Sequence, residues 1–182
     1  MMNAGVGPAR YRIVVQARLS SSRLPGKALL PVAGRPSLLL CLQRAANAGA
    51  EVVLATSTDP ADDVLCALAA DAGFRVVRGP LEDVLSRFAL AAEDLDDSSV
   101  IVRLTADNLF PDGTLCDALV QELTTVGGEI ARVVWPDAGV PYGLSAEALR
   151  VGLLREAAGQ ATSAWDREHV TPWMLRSRAP VV

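Results

Sequence analysis

The 182-residue sequence has a single histidine and three cysteines, and these small numbers exclude several kinds of site. Cys41, Cys66 and Cys116 are widely separated within apolar helical patterns, which favours buried free thiols in a reducing cytoplasm over disulfides. Cysteine and histidine do not cluster at the spacing of zinc ligands. A lone histidine between tryptophans, His169, is more often packed or hydrogen-bonded than catalytic, so we leave it out of the catalytic candidates.

The sequence also lacks an excess of positive charge and long apolar runs. A net charge of −4 and a pI near 5.0 argue against nucleic-acid binding, because proteins that neutralise phosphate backbones carry a basic surface. We find neither an apolar stretch long enough to cross a bilayer nor a signal-peptide pattern at the N-terminus. We therefore expect a cytoplasmic protein that binds neither nucleic acid nor membrane.

The composition favours one folded unit. With 51% apolar residues, the chain has enough material for a single core. We expect a flexible N-terminal segment over residues 1–10 and one domain over residues 11–182.

Apolar runs alternate with amphipathic stretches at short intervals, which is the pattern of βαβ units in a largely parallel sheet. Proline and capping residues mark several helix starts, and glycines mark helix ends. We predict strands at 13–15, 52–55, 74–77, 100–104 and 130–135, with an antiparallel direction as one option for the last. We predict helices after Ser37, after Asp59-Pro60, over 81–92, over 112–123, from Ser145 through Ala158, and over 162–176 with a bend or break at Pro172.

The loop after the first strand is the most informative feature. Between Ile13 and Lys27 the chain reads IVVQARLSSSRLPGK, so Arg18, Arg23 and Lys27 follow a buried strand among small hydroxyl residues. Cations and exposed backbone N–H groups together suit a polyphosphate. The glycines of a Walker A loop and of a dinucleotide fingerprint are missing, which excludes both. We predict that this loop holds a nucleoside triphosphate; the alternative is a surface turn with solvated charges.

Residues 16–27, QARLSSSRLPGK, resemble the opening signature of sugar-activating cytidylyltransferases. The resemblance is strongest to the spore-coat polysaccharide family and its relatives that make CMP-activated acidic sugars. It extends from about Tyr11 to Trp173, and several blocks in the right order are more specific than any one of them. The later blocks are ATST at 55–58 followed by Asp62-Asp63, RGPLEDVLSR at 78–87, RLTAD at 103–107 and REHVTP at 167–172.

The resemblance implies a three-layer α/β/α nucleotidyltransferase fold of the GT-A-like, Rossmann-like type, with a mostly parallel central sheet. It implies transfer of CMP from CTP to a sugar, an acidic one in particular, with Mg²⁺ as cofactor and with a homodimer as one possible assembly. The predicted catalytic residues are Arg18 and Lys27, which would contact the β- and γ-phosphates. The predicted nucleotide-binding residues are Ala17, Arg18, Ser20, Arg23, Lys27, Thr56, Ser57, Arg78, Asp83, Arg87 and Asp107.

Asp107 is the predicted anchor of the metal. It follows the strand at 100–104, and ligands of open α/β sheets bind beyond the carboxyl ends of the strands. Mg²⁺ takes a carboxylate together with phosphate oxygens and water, so one aspartate is enough to hold it there. Two plainer interpretations stay open: Asp107 caps the next helix, and Asp83 and Arg87, four residues apart, form only a surface salt bridge.

Departures from the family pattern limit this prediction. Ser145 stands where the family usually has the second aspartate of Asp-Gly-Leu-Asp-Val-Glu, so Glu147 becomes the second predicted metal ligand. Ala106 replaces a glycine, and the chain is compressed before Tyr142, in the part that serves sugar binding and dimer formation. The alternatives are therefore a catalytically degenerate nucleotide-binding or interaction domain of the same fold, and a transferase that uses another nucleotide.

Overall fold

A six-stranded sheet organises the chain. The computed structural model describes residues 11–21, 23–133, 139–141 and 143–180. In these ranges the strands are β1 (Tyr11–Gln16), β2 (Pro31–Val32), β3 (Arg35–Pro36), β4 (Glu51–Ser57), β5 (Arg75–Gly79), β6 (Val100–Thr105), β7 (Ile130–Val133) and β8 (Ala146–Arg150). The sheet has the order β5-β4-β1-β6-β8-β7, while β2 and β3 form a separate small hairpin.

Helices connect these strands. They are α1 (Ser37–Ala45), α2 (Asp63–Asp71), α3 (Val84–Ala91), α4 (Gly113–Thr125), α5 (Val151–Gln160), α6 (Ala164–His169) and α7 (Pro172–Ser177). Short 3₁₀ turns occupy Lys27–Leu29, Ala46–Ala48 and Pro60–Asp62.

The helices cover both faces of the sheet. Successive side chains of a strand point to opposite faces, so Ile13 and Val15 of β1 pack in one core while Val14 packs in the other. The first core includes side chains of α1, α2 and α4, and the second includes those of α3, α5 and α7. This arrangement confirms the predicted three-layer α/β/α fold.

Four neighbouring strands, β5, β4, β1 and β6, are parallel. Gln16, the last residue of β1, is level with Ala55 of β4 and Thr105 of β6. The polypeptide therefore leaves all three strands at one edge of the sheet, and the loops that follow them lie side by side.

The prediction of a helix from Ser145 to Ala158 is wrong in its first part. Residues Ala146–Arg150 form β8, which pairs antiparallel with β6 on one side and with β7 on the other, and helix α5 begins only at Val151. The segment AEALR consists of helix-forming residues. Its pairing with two strands and its burial between them override that local preference.

The direction and ends of some other elements also differ from the predictions. Strand β7 runs in the same direction as the four parallel strands, because it is antiparallel to β8, which is itself reversed. Helix α3 begins at Val84 rather than at Leu81. The expected break at Pro172 is confirmed, since this proline is the first residue of α7. The end of the predicted strand at Trp135, the segment 1–10 and Tyr142 lie outside the described residues.

The three cysteines are free thiols, as predicted. Cys41 and Cys116 are buried, and burial raises the pKa of each thiol to about 12. Cys66 is only partly buried. Among the described residues, no helix combines the length and the apolar character that crossing a membrane requires.

Candidate nucleotide-binding site

The loop after β1 is closed by its own backbone and by a distant carboxylate. The N–H of Gly26 donates to the carbonyl of Leu19 at 3.0 Å. Gly26 has a φ of 70°, a left-handed conformation that favours glycine, and it leads directly into the 3₁₀ turn that carries Lys27. This turn returns Lys27 to the end of the sheet where Arg18 begins the loop.

Asp62 holds the other side of this loop. Its carboxylate is buried and accepts hydrogen bonds from the N–H of Leu19 at 2.8 Å, the hydroxyl of Thr56 at 3.1 Å, and the N–H and hydroxyl of Ser57. We call these four residues the Asp62 network. The sequence placed Asp62 only in the motif block that follows residues 55–58. In the structure this carboxylate fixes the loop to β4.

A cleft of about 420 Å³ opens between this loop, the end of β6, helix α3 and helix α6. Most of its lining is polar. The described lining residues are Gln16, Ala17, Arg18, Ser21, Arg23, Lys27, Ala28, Val84, Arg87, Arg103, Thr105, Ala106, Asp107, Glu168 and His169. The predicted loop cations and Asp107 therefore face one common cavity.

Lys27 and Asp107 are in direct contact across the cleft. The ammonium Nζ of Lys27 lies 2.5 Å from the carboxylate Oδ2 of Asp107. Partial burial raises the pKa of the Asp107 carboxyl, but hydrogen bonds from Lys27 and Thr105 outweigh it and keep that pKa below its ordinary value. Asp107 is therefore a carboxylate at neutral pH, the form that binds a cation.

Arg18 is held by two acidic side chains. Its guanidinium donates to Glu168 at 2.9 Å and lies 3.8 Å from Glu82. These pairs are partly exposed, so they are weak enough to be exchanged for a more highly charged anion.

Arg87 has a different environment. Its side chain is 1% exposed, and its Nε and Nη1 have no hydrogen-bond partner among the described residues. Burial lowers the pKa of this guanidinium, and the nearby Arg18 lowers it further. The structure rules out the plainer interpretation in which Arg87 pairs with Asp83, because Asp83 caps α3 at the N–H of Ser86 and binds Arg167 at 2.7 Å.

Gly79 makes room for Arg87. A Cβ atom at position 79 would lie 2.8 Å from Cγ of Arg87, closer than real Cβ contacts. A glycine at the end of β5 therefore allows the arginine to reach the cleft.

Other predicted nucleotide-binding residues have different contacts. The hydroxyls of Thr56 and Ser57 are used by the Asp62 network. Arg78 donates to the carbonyls of Ser57 and Asp59 and pairs with Asp63 at 2.7 Å. Within the described lining of the cleft, Thr56, Ser57, Arg78, Asp83 and the exposed Ser20 do not occur.

Glu147 is bound by cationic groups below the cleft. It is buried on β8, level with Arg103 of β6 and Arg132 of β7, and its carboxylate lies 2.5 Å and 3.2 Å from their guanidinium groups. The hydroxyl of Thr171 also donates to it, at 3.2 Å. These contacts occupy the carboxylate of the second predicted metal ligand. In the described part of the chain, no group of three His, Cys, Asp or Glu side chains converges to hold a metal by itself.

Sequence reasoning missed several lining residues, among them Gln16, Arg103, Glu168 and His169. Arg103 accompanies Gln16 at the floor, donating to its side-chain oxygen at 3.1 Å. These four residues belong to the motif blocks quoted above, and membership of those blocks was the signal that could have identified them. His169 was set aside because it is a lone histidine.

The backbone after His169 is strained. Val170 has φ 71° and ψ −58°, and the N–H of Thr171 donates to the carbonyl of His169 at 2.8 Å. These are the features of the rare γ-turn with positive φ. For a β-branched residue such a conformation is an outlier that costs on the order of 1–3 kcal/mol.

A mostly parallel α/β sheet with a cationic cleft at the carboxyl ends of its strands, facing one ionised aspartate, is typical of nucleotide-binding domains, including those of transferases. The model of the cytidylyltransferase family matches residues 12–182, and the chain belongs to that family.

Similarity to individual proteins agrees with this assignment. The chain is 35% identical over 165 residues to the spore coat polysaccharide biosynthesis protein SpsF of Bacillus subtilis. The matched region covers 87% of this chain and 67% of SpsF. It is 39% identical over 123 residues to the 3-deoxy-manno-octulosonate cytidylyltransferase of Methylococcus capsulatus, which covers 64% of this chain and 46% of that enzyme. The chain thus spans about two thirds of the first relative and less than half of the second.

Solved structures agree on the fold. A cytidylyltransferase from Leptospira borgpetersenii has 27% identity and a TM-score of 0.85, over 95% of this chain and 75% of that one. A CMP:2-keto-3-deoxy-manno-octonic acid synthetase complexed with CTP has 19% identity and a TM-score of 0.67, over 93% of this chain and 86% of that one. At 19% identity, the second comparison concerns the fold alone.

Proposed function

We propose that the chain transfers the cytidylyl group of CTP to a sugar, with release of pyrophosphate, in the synthesis of a surface polysaccharide or related glycan. Membership of the cytidylyltransferase family supports the nucleotide. Similarity to the spore coat polysaccharide biosynthesis protein SpsF supports a polysaccharide pathway, and similarity to the Methylococcus enzyme supports an acidic sugar as acceptor.

The observation that carries the proposal is the Arg87 guanidinium, which lines the cleft and has two nitrogens without a hydrogen-bond partner among the described residues. A buried charge without a partner is destabilising by several kcal/mol on the order-of-magnitude scale of ion desolvation. A phosphate group in the cleft would balance the charge of this guanidinium, since guanidinium binds phosphate oxygens strongly and often two at a time. A nucleotide with a polyphosphate chain therefore fits the cleft better than a neutral ligand.

The other cations extend the phosphate site. Arg18, Arg23 and Lys27 approach the same cavity from the loop after β1 and would bind the β- and γ-phosphates. The phosphates would compete with Glu168 for Arg18 and with Asp107 for Lys27. This exchange would leave the Asp107 carboxylate available for a metal ion.

Asp107 suits Mg²⁺ as the carboxylate of a partly hydrated site. Mg²⁺ binds nucleotides through phosphate oxygens, several waters and one or two carboxylates rather than through an all-protein cage. When bound, the ion neutralises charge on the phosphates. The protein groups would hold the triphosphate in line with the acceptor, and positioning and electrostatics are the main sources of catalysis in such transfers.

The test is calorimetric titration with CTP, with and without Mg²⁺, followed by a pyrophosphate-release assay on a panel of acidic sugars that starts with 3-deoxy-manno-octulosonate. We expect CTP to bind more tightly than UTP, ATP or GTP and at least one sugar to release pyrophosphate. Tighter binding of another nucleotide would instead identify a transferase for that nucleotide. No binding of any nucleotide would refute the proposal.

A second candidate is a nucleotide-binding domain of this family that does not turn over. The observation in its favour is Glu147, whose carboxylate is occupied by Arg103, Arg132 and Thr171. With Ser145 nearby in place of an acidic residue, Asp107 alone would bind the metal. Tight CTP binding without pyrophosphate release from any sugar would favour this candidate.

The variant Asp107→Asn distinguishes the role of the metal from that of the cations. It keeps the side-chain shape, and we expect CTP affinity to become independent of Mg²⁺. Lys27→Ala should weaken CTP binding about 10-fold or more whether or not Mg²⁺ is present, because a charge-assisted contact is lost. Persistent Mg²⁺ dependence in Asp107→Asn would place the ion elsewhere.

A further inference from the structure

His169 lines the cleft together with Arg18, Lys27 and Asp107, and the transfer described above does not use it. It is the only histidine of the chain. Its ring lies against Trp165, with centroids 3.8 Å apart and planes tilted by 54°. Trp165 is 63% exposed, so this aromatic pair lies at the protein surface.

The strained γ-turn fixes the position of this histidine. A strained backbone persists only where the surrounding structure determines it, and such sites cluster at binding and catalytic centres. Here the Val170 side chain is fully buried in the second core, and the Thr171 hydroxyl donates to Glu147 below the cleft. These contacts hold the end of α6 against the cleft.

The charges around the imidazole come from several elements. Around the described lining, five cationic side chains face two carboxylates, so the protein groups around the imidazole carry a net positive charge. A polyphosphate, with or without Mg²⁺, would make this local charge much less positive. The facing groups are Arg18, Arg23 and Lys27 from the loop, Arg87 from α3, Arg103 and Asp107 from β6 and its end, and Glu168 from α6 itself.

We propose that His169 takes up a proton from solvent when a nucleoside triphosphate binds and that its imidazolium then donates a hydrogen bond to the phosphate chain. Nucleotide affinity therefore depends on pH through this residue. The inference rests on the proposed function, because it requires that a nucleotide occupy the cleft.

The sign of the dependence follows from the charges. An ordinary imidazole is cationic below a pH of about 6.5. The contribution of His169 to affinity is thus full in mildly acidic solution and is lost as the pH rises and the bound imidazolium loses its proton. Ionisation of the terminal phosphate of CTP acts in the opposite direction, so wild-type affinity alone does not isolate the effect of the histidine.

The experiment compares the wild type with His169→Gln by calorimetric titration with CTP, from a pH of about 5.5 to about 8.5. We expect the wild type to bind CTP about 10-fold more tightly than the variant at the acidic end of this range. At the basic end the two proteins should bind CTP equally. The variant carries the phosphate ionisation unchanged and serves as its control. Glu122→Gln, on an exposed part of α4, should match the wild type throughout.

A second measurement needs no variant. Because the chain has one histidine, its imidazole gives a single set of NMR signals, whose titration is followed with and without CTP. We expect the signals to move on CTP addition and the midpoint of the titration to rise. Static signals and a constant ratio of affinities, with CTP bound, would overturn this inference and leave the proposed function intact. If CTP does not bind the wild type at any pH, the proposed function fails and this inference fails with it.

Discussion

Two buried arginines lie near opposite ends of the strands, and one has hydrogen-bond partners that the other lacks among the described residues. Arg12, near the start of β1, is 4% exposed and donates to Glu51, to both oxygens of Asp94 and to the carbonyl of Ala91. Arg87, at the edge where the strands end, is 1% exposed and has two nitrogens without a partner in the described ranges. The first arginine has partners within the fold, and in the proposed function the second is available for a ligand at some expense of stability.

The largest expected effect comes from removing the paired arginine. Arg12→Met keeps the aliphatic stem but leaves two carboxylates and a carbonyl without their donor. We expect the free energy of unfolding to fall by about 2–4 kcal/mol, below the full value for a buried pair because both carboxylates are half-exposed. Denaturant unfolding measures this loss. CTP affinity should stay within about 2-fold of that of the wild type, because a 10-fold change would require the loss of hydrogen bonds to the nucleotide itself.

The same substitution at Arg87 should affect CTP affinity rather than stability. Arg87→Met removes a buried charge that has unpaired donors, so we expect the free energy of unfolding to stay constant or to rise by about 1–2 kcal/mol. CTP affinity should fall about 10- to 100-fold, as for the loss of a charge-assisted contact. Calorimetry and denaturant unfolding on the same sample measure both. A destabilised variant with normal CTP affinity would show that Arg87 has a structural role.

Acid should reduce the stabilisation from the Arg12 ion pairs, by less than the substitutions above. The guanidinium of Arg12 holds the pKa of the Asp94 carboxyl well below its ordinary value. The stabilisation is therefore present above a pH of about 4 and is lost as the pH falls through the lower folded pKa. We expect Tm to fall between neutral pH and a pH of about 3, and to fall less in Arg12→Met. Equal losses in both proteins would assign the acid sensitivity to other carboxyls.

The smallest expected effect concerns the space beside Arg87. Gly79→Ala places a Cβ 2.8 Å from Cγ of Arg87 and 3.3 Å from Leu90. We expect a loss of about 1 kcal/mol in the free energy of unfolding, typical of mild overpacking, and a decrease of CTP affinity of about 3-fold as the guanidinium shifts. Gly159→Ala in α5 is the control, because its Cβ would meet no atom within 4 Å and should stabilise the helix.

The same contrast explains how much the sequence could predict. The layer order and the convergence of Arg18, Lys27 and Asp107 followed from strand ends in a parallel sheet, which is a property of local pattern. The roles of Thr56 and Ser57 did not, because their hydroxyls are used by a carboxylate whose own environment is set by tertiary packing.

Tertiary packing also explains why the sequence did not predict strand β8 or the contacts of Glu147. Residues Ala146–Arg150 have helical preferences, and only the neighbouring strands β6 and β7 make them a strand. Glu147 belongs to this strand, so its register opposite Arg103 and Arg132 could not be foreseen from a helical assignment.

The Asp62 network has a consequence for protein engineering. Walker A loops and dinucleotide-binding loops obtain their shape from glycine spacing within the loop itself. This loop depends on an acid 43 residues away from Leu19, across a neighbouring strand. A graft of residues 16–27 into another α/β scaffold would therefore need a matching carboxylate supplied by the host, and the isolated peptide should have no affinity for nucleotides.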